Sequence, residues 1–80
     1  MAYHSQNGRD FLGLRQLPNG KHQIVYDATS GDRVLVIIHD RQIAPDELDA
    51  VLREGISSEK VLPAVLIALT ARNIKFDMAG

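Results

Sequence analysis

Five consecutive apolar residues, Val34-Leu35-Val36-Ile37-Ile38, constrain the fold of this 80-residue chain more than any other stretch. A run this short and this rich in β-branched side chains reads as a strand. Successive side chains of a strand point to opposite faces. An unbroken apolar run therefore asks for cover above and below. A chain of 80 residues has little to offer for two covers, because a domain this small buries only roughly 60–65% of the surface it exposes when unfolded. The helices that follow can close one face. The other is left to the N-terminal residues, to a second copy of the chain, or to a different protein.

The segments around this run fix the expected fold. Pro18-Asn19-Gly20 is a turn signal, with Pro presetting φ and Asn and Gly tolerating positive φ. It separates a first strand, Leu12–Leu17, from a second, His22–Asp27. In the second strand His22, Ile24 and Tyr26 alternate with Gln23, Val25 and Asp27. Ala28-Thr29-Ser30-Gly31-Asp32 turns into the third strand, Arg33–His39. Pro45, followed by Asp46 and Glu47, opens a helix with acidic residues at the positive end of its dipole. Leu48, Val51 and Leu52 form its apolar stripe, and Gly55 is its stop. Pro63 marks the first residue of a second helix, reaching about Arg72. That helix is apolar nearly all round through Leu69, so it is either central or docked on another chain. Ile74-Lys75-Phe76-Asp77-Met78 alternates as a short edge strand. The expected fold is α+β, a three-stranded antiparallel meander followed by two helices and a short strand, βββααβ. Residues 1–10 read as a flexible arm and 11–80 as a single domain.

Composition narrows the function. The net charge of −1 argues against a protein built to grip a phosphate backbone. The charge is uneven: residues 1–42 carry five Lys/Arg against four Asp, and residues 43–80 carry four against six Asp/Glu. There is no Cys, so neither a disulfide nor a thiolate metal site is available. His4, His22 and His39 show no metal-ligand spacing. No P-loop, GxSxG or GxGxxG is present. The longest apolar run, Val61–Leu69, is too short for a membrane span. The first residues lack the apolar core of a signal peptide. The expectation is a cytoplasmic protein with no cofactor, no metal and no membrane partner.

One cluster carries possible chemistry. Lys21 and His22 enter the second strand, and Tyr26 lies on the same face as His22. His22 is placed to act as a general base on a ribose 2′-hydroxyl, with Lys21 on the phosphate. The competing reading is a packed edge histidine beside a solvated lysine. Gly20-Lys21-His22-Gln23-Ile24-Val25-Tyr26 resembles the histidine-bearing strand of HicA-type mRNA interferase toxins. Gly31-Asp32-Arg33-Val34-Leu35-Val36 resembles their next strand, and Ile43–Ser57 is similar to their closing helix. The resemblance covers about residues 20–62. It implies a double-stranded-RNA-binding-like fold, RNA as substrate, His22 as the catalytic residue and an antitoxin partner. Lys21 and Gln23 depart from the family's Ser and second His.

The leading functional reading is a non-enzymatic interaction protein, of the inhibitor or regulator type, that covers a site on a protein partner and also self-associates. The surface expected to do so is Gln23 and Val25 together with Val34, Val36 and Ile38, which two facing copies can close as a twofold dimer. The alternative is the RNA-cleaving enzyme, with His22, Lys21 and Tyr26 as its site.

Overall fold

The computed structural model describes residues 2–4 and 10–79. Five antiparallel strands form one sheet in the order β1-β2-β3-β4-β5, with β1 at Ala2–His4, β2 at Phe11–Gln16, β3 at His22–Asp27, β4 at Arg33–Ile38 and β5 at Phe76–Ala79. Helices α1, Pro45–Ile56, and α2, Val61–Ala71, follow β4. The expected meander, helix pair and closing strand are all present in that order. One further strand, β1, precedes them.

Both hairpins of the meander are built alike. Gly20 N–H donates to Leu17 O at 2.9 Å, and Leu17 N–H to Lys21 O at 2.7 Å. In the next turn Gly31 N–H donates to Ala28 O at 3.0 Å, and Ala28 N–H to Asp32 O at 2.9 Å. Gly20 and Gly31 sit at φ 88° and 93°, a region that residues with a Cβ rarely adopt. These turns lock the register: Ile24 faces Leu14 and Val36, and His22 faces Ile38.

That register decides which side chains meet the helices. Leu12, Ile24, Val36 and Ile38 are fully buried on the helix side of the sheet. They pack with Leu48, Val51 and Leu52 of α1 and Val61, Val65, Ala68 and Leu69 of α2. Each such side chain contributes about 1.5–3 kcal/mol of burial free energy. Ile43 and Ile74 close the ends of this layer.

Three local expectations are corrected. Gly55 is not a helix stop. It lies within α1, buried, where the helix touches α2 and β2. A Cβ built there would overlap Val65 Cγ2 and lie 3.2 Å from Leu12 Cδ1. Pro63 is the third residue of α2 and not the first, still within the turn whose N–H groups have no helical acceptor. Finally, residues 2–4 of the expected arm form an edge strand, and residues 5–9 lie outside the described residues. The Tyr3 hydroxyl donates to Asp49 Oδ1 on α1, and the Arg53 guanidinium lies 5.9 Å from its ring centroid. An aromatic anchored at mid-strand gives a short polar segment a fixed place.

The carboxylates fastened in this way respond to acid. The Tyr3 hydrogen bond, and after it the Arg53 pair, hold the Asp49 carboxyl below its ordinary 3.8 against the opposing effect of desolvation. Hydrogen bonds from Arg72 and Arg33 do the same for Glu54 and Asp27.

Gly55→Ala gains about 1 kcal/mol of helix propensity but must force the α1–α2 contact apart, and the net effect is a loss of roughly 1–2 kcal/mol. Urea unfolding with an unchanged slope and a lower midpoint checks this. A native pKa below the unfolded one stabilises above the unfolded value, and that stabilisation disappears as pH falls through the native value. The thermal midpoint therefore drops on acidification below about pH 5, and Asp49→Asn removes part of the drop while lowering the neutral-pH midpoint.

Candidate interaction surfaces

With both helices on one side, none of the described residues forms a second layer over the other face of the sheet. Strand alternation and the β3–β4 register put Gln23 opposite Ile37 and Val25 opposite Leu35 on that outer face. The residues expected there from β4 were Val34, Val36 and Ile38. The structure reverses this half of the surface: Val36 and Ile38 are fully buried under the helices, and Val34 packs against the same core. Gln23 and Val25 do lie on the outer face, so their β4 neighbours there are Leu35 and Ile37. The apolar run hid the parity, because every member of it is hydrophobic.

The outer face is half dressed by its own charged side chains. Val25 and Gln23 retain only 7% and 5% of their accessible surface. Arg15 Nε donates to Gln23 Oε1 at 2.5 Å. Arg33 grips Asp27 through Nε and Nη2 at 2.7 and 3.2 Å. Leu35, Ile37 and Phe11 stay half-buried. Between the two arginines lies a shallow hollow of about 270 Å³, whose lining includes Phe11, Gly13, Val25, Arg15 and Arg33.

At the opposite end of this face, Lys21 Nζ lies 3.3 Å from His39 Nδ1, and His39 Nε2 lies 2.8 Å from Asp77 Oδ2. An ammonium can only donate, so Nδ1 accepts and the ring proton sits on Nε2, donating to Asp77. Both ring nitrogens are thereby engaged by side chains of the protein itself. A second hollow, about 560 Å³, adjoins His39. It also runs past Asp40, Glu47, Arg72 and Lys75, a lining of mixed sign. No group of three metal-capable side chains occurs among the described residues.

The candidate ribonuclease residues are not brought together. Lys21 pairs with His39 on the outer face, while His22 shares the helix side with Ile24 and Ile38. His22 Nδ1 is buried with no hydrogen-bond partner. Tyr26 lies four residues along β3 from His22, roughly 13 Å away at strand rise. Its phenol is pushed up by burial and by the Asp10 carboxylate beside it.

A second surface lies at the β5 end. From Val61 to Ala71, α2 has no charged side chain. Ile67 is 69% exposed and Met78, on β5, is 48% exposed. Leu66, Ile67, Thr70 and Ala71 line one apolar depression, and Thr70 shares a second, of mixed polarity, with Asn73, Lys75 and Phe76. No helix of the described residues is long and apolar enough to cross a membrane.

No protein-family model, curated protein or solved structure matches this chain.

The Asp77–His39 pair is solvated, with three-quarters of the Asp77 side chain exposed. Asp77→Asn accordingly leaves the thermal midpoint within about 5 °C of the wild type, read by circular dichroism.

Proposed function

We propose that this protein is a non-enzymatic interaction protein that binds a protein partner on the outer face of its sheet. The observation that carries the reading is the placement of Leu35 and Ile37. They stand half-buried on a face that neither helix covers. A central strand with apolar residues on both faces is the pattern of a doubly covered strand. Here the described residues supply one cover.

The chemistry of the face describes the partner. The hollow over Gly13 and Val25 is wide enough for one apolar side chain, and Arg15 and Arg33 stand at its walls. Guanidinium groups beside an apolar recess favour a partner with an aliphatic or aromatic anchor and neighbouring carboxylates. Arg33 already holds Asp27, so a partner carboxylate replaces or shares that bond. Charge of this kind sets orientation and association rate more than affinity.

An enzyme requires a base, a nucleophile or a metal in reach of one substrate atom. His39 has both nitrogens engaged, and Lys21 and His22 face opposite sides of the sheet. These facts support binding over catalysis.

Photocrosslinking tests the reading. A benzophenone side chain at position 35 or 37, in cells that make the protein, is expected to yield one discrete protein adduct. The same probe at Glu59, on the far side of the molecule, yields none. Charge reversal of Arg15 and Arg33 together reduces the adduct. Equal adducts from all positions would remove the reading. So would cleavage of a defined RNA by the wild type that vanishes in His22→Ala.

A further inference from the structure

We propose that two copies of this chain pair through the open edge of β5, with Lys75 of each copy opposite Asp77 of the other, and that α2 closes over the seam. The inference stands apart from the outer-face reading, because it uses the open edge of β5, with its charge pairs at the margin of the outer face and its apolar contacts on the helix side.

β5 is the last strand of the sheet and, among the described residues, is bonded only to β4. His39 N–H donates to Lys75 O at 3.1 Å. In an antiparallel ladder, residues alternate between turning both backbone groups toward one neighbour and both toward the other. Lys75 and Asp77 therefore face β4, and Phe76 and Met78 aim their N–H and C=O groups at the open edge. An edge with free donors and acceptors is a template for another strand.

Symmetry limits how two such edges meet. A twofold axis perpendicular to the sheet keeps every residue on its own face, so facing residues must have numbers of equal parity. The axis then passes through one residue. Centred on Lys75 it sets two ammonium groups against each other. Centred on Asp77 it sets two carboxylates against each other. Centred on Met78 it leaves both charges without a counterpart. Centred on Phe76 it makes two Lys75–Asp77 pairs at once. Phe76 then exchanges two backbone hydrogen bonds with Phe76 of the second copy. Opposite charges directly across a ladder stabilise it, and like charges destabilise it. Asp77 is free to serve, since its His39 bond uses one oxygen and the side chain is 76% exposed.

The helix side fits the same axis. Phe76 and Met78 point there, in line with Ile38 and Val36. Thr70 and Phe76 line one depression together with Asn73, Ile74 and Lys75, so the end of α2 adjoins the edge. Leu66 and Thr70 are one helical turn apart, with Ile67 beside them, and α2 carries no charge that a second α2 would have to bury. Of the exposed large hydrophobics among the described residues, Met78 lies on β5 itself, while Ile67 lies on the outward side of α2.

Sedimentation equilibrium from micromolar to millimolar concentration reads the association. The wild type is expected to dimerise. Met78→Pro removes an outward N–H, which an edge strand tolerates, and should give a folded monomer. Lys75→Glu and Asp77→Lys should each weaken the dimer by about tenfold or more, because each spoils two pairs. The double exchange, Lys75→Glu with Asp77→Lys, should restore it. Circular dichroism confirms that each variant folds. A wild type that stays monomeric overturns the proposal, as does a dimer that survives Met78→Pro. Failure of the double exchange to rescue overturns the register. A dimer lost in Ile37→Asp but kept in the β5 variants assigns self-association to the outer face instead.

Discussion

The structure depends on one layer of contacts, in which Leu12, Ile24, Val36 and Ile38 from alternate positions of three strands meet the apolar stripes of α1 and α2. An 80-residue chain without disulfides has no other large source of stability. The layer exists because the two Gly-closed turns hold β2, β3 and β4 in a register that aligns these positions. A slip by one residue would send Val36 and Ile38 outward and bring Leu35 and Ile37 in. Both arrangements are hydrophobic, so β4 by itself does not choose between them. The neighbours choose. Ile24 and Leu12 are apolar where Gln23, Arg15 and Asp27 are polar, and pairing transfers their alternation to β4.

Long polar side chains lie across the outer face. Arg15 covers Gln23, Arg33 lies against Asp27, and Lys21 reaches His39. The aliphatic stems of Arg and Lys shield apolar neighbours while their heads stay solvated. This explains how Val25 can be nearly as inaccessible as a core residue on a face without a second layer. The shielding is adjustable: a partner that brings its own apolar cover can displace a guanidinium at modest cost, since exposed ion pairs hold little free energy. A face dressed in this way can be stable alone and still be a docking surface.

Much of the fold was legible because it rests on local chemistry. The Pro-Asn-Gly turn, the alternation in β3 and the Pro-Asp-Glu start of α1 each carry their own signal, and each element lies within about two residues of its expected position. What escaped was set by contacts between distant segments. Gly55 looked like a terminator, since Gly ends helices. Its role is to let Val65 and Leu12 approach, and only the packed structure reveals that. β1 had no hydrophobic period to announce it. Tyr3 was the one available clue, and its meaning depends on Asp49 and Arg53, far along the chain. The candidate site fared the same way. Gln23 and Val25 followed from alternation and were placed on the outer face, whereas their β4 partners depended on register inside a uniformly apolar run. Lys21 and His22 adjoin in sequence, and that adjacency itself puts them on opposite faces of a strand.

The two edges of the sheet solve the same problem differently. β1 is three residues long and is tied back to α1 through Tyr3, so it offers little length to an incoming strand. Among the described residues β5 is bonded to β4 alone, and no strand pairs with its opposite edge. Edge strands avoid indiscriminate pairing by carrying charge, and Lys75 and Asp77 provide it. Because the two charges differ in sign and flank a single residue, they oppose most alignments of a second β5 and favour one. The device that protects an edge against foreign strands thus becomes, for a second copy of the same chain, a specification of register. The uncharged flank of α2 beside it points the same way, since charge would be expected there if that helix were meant to stay in water.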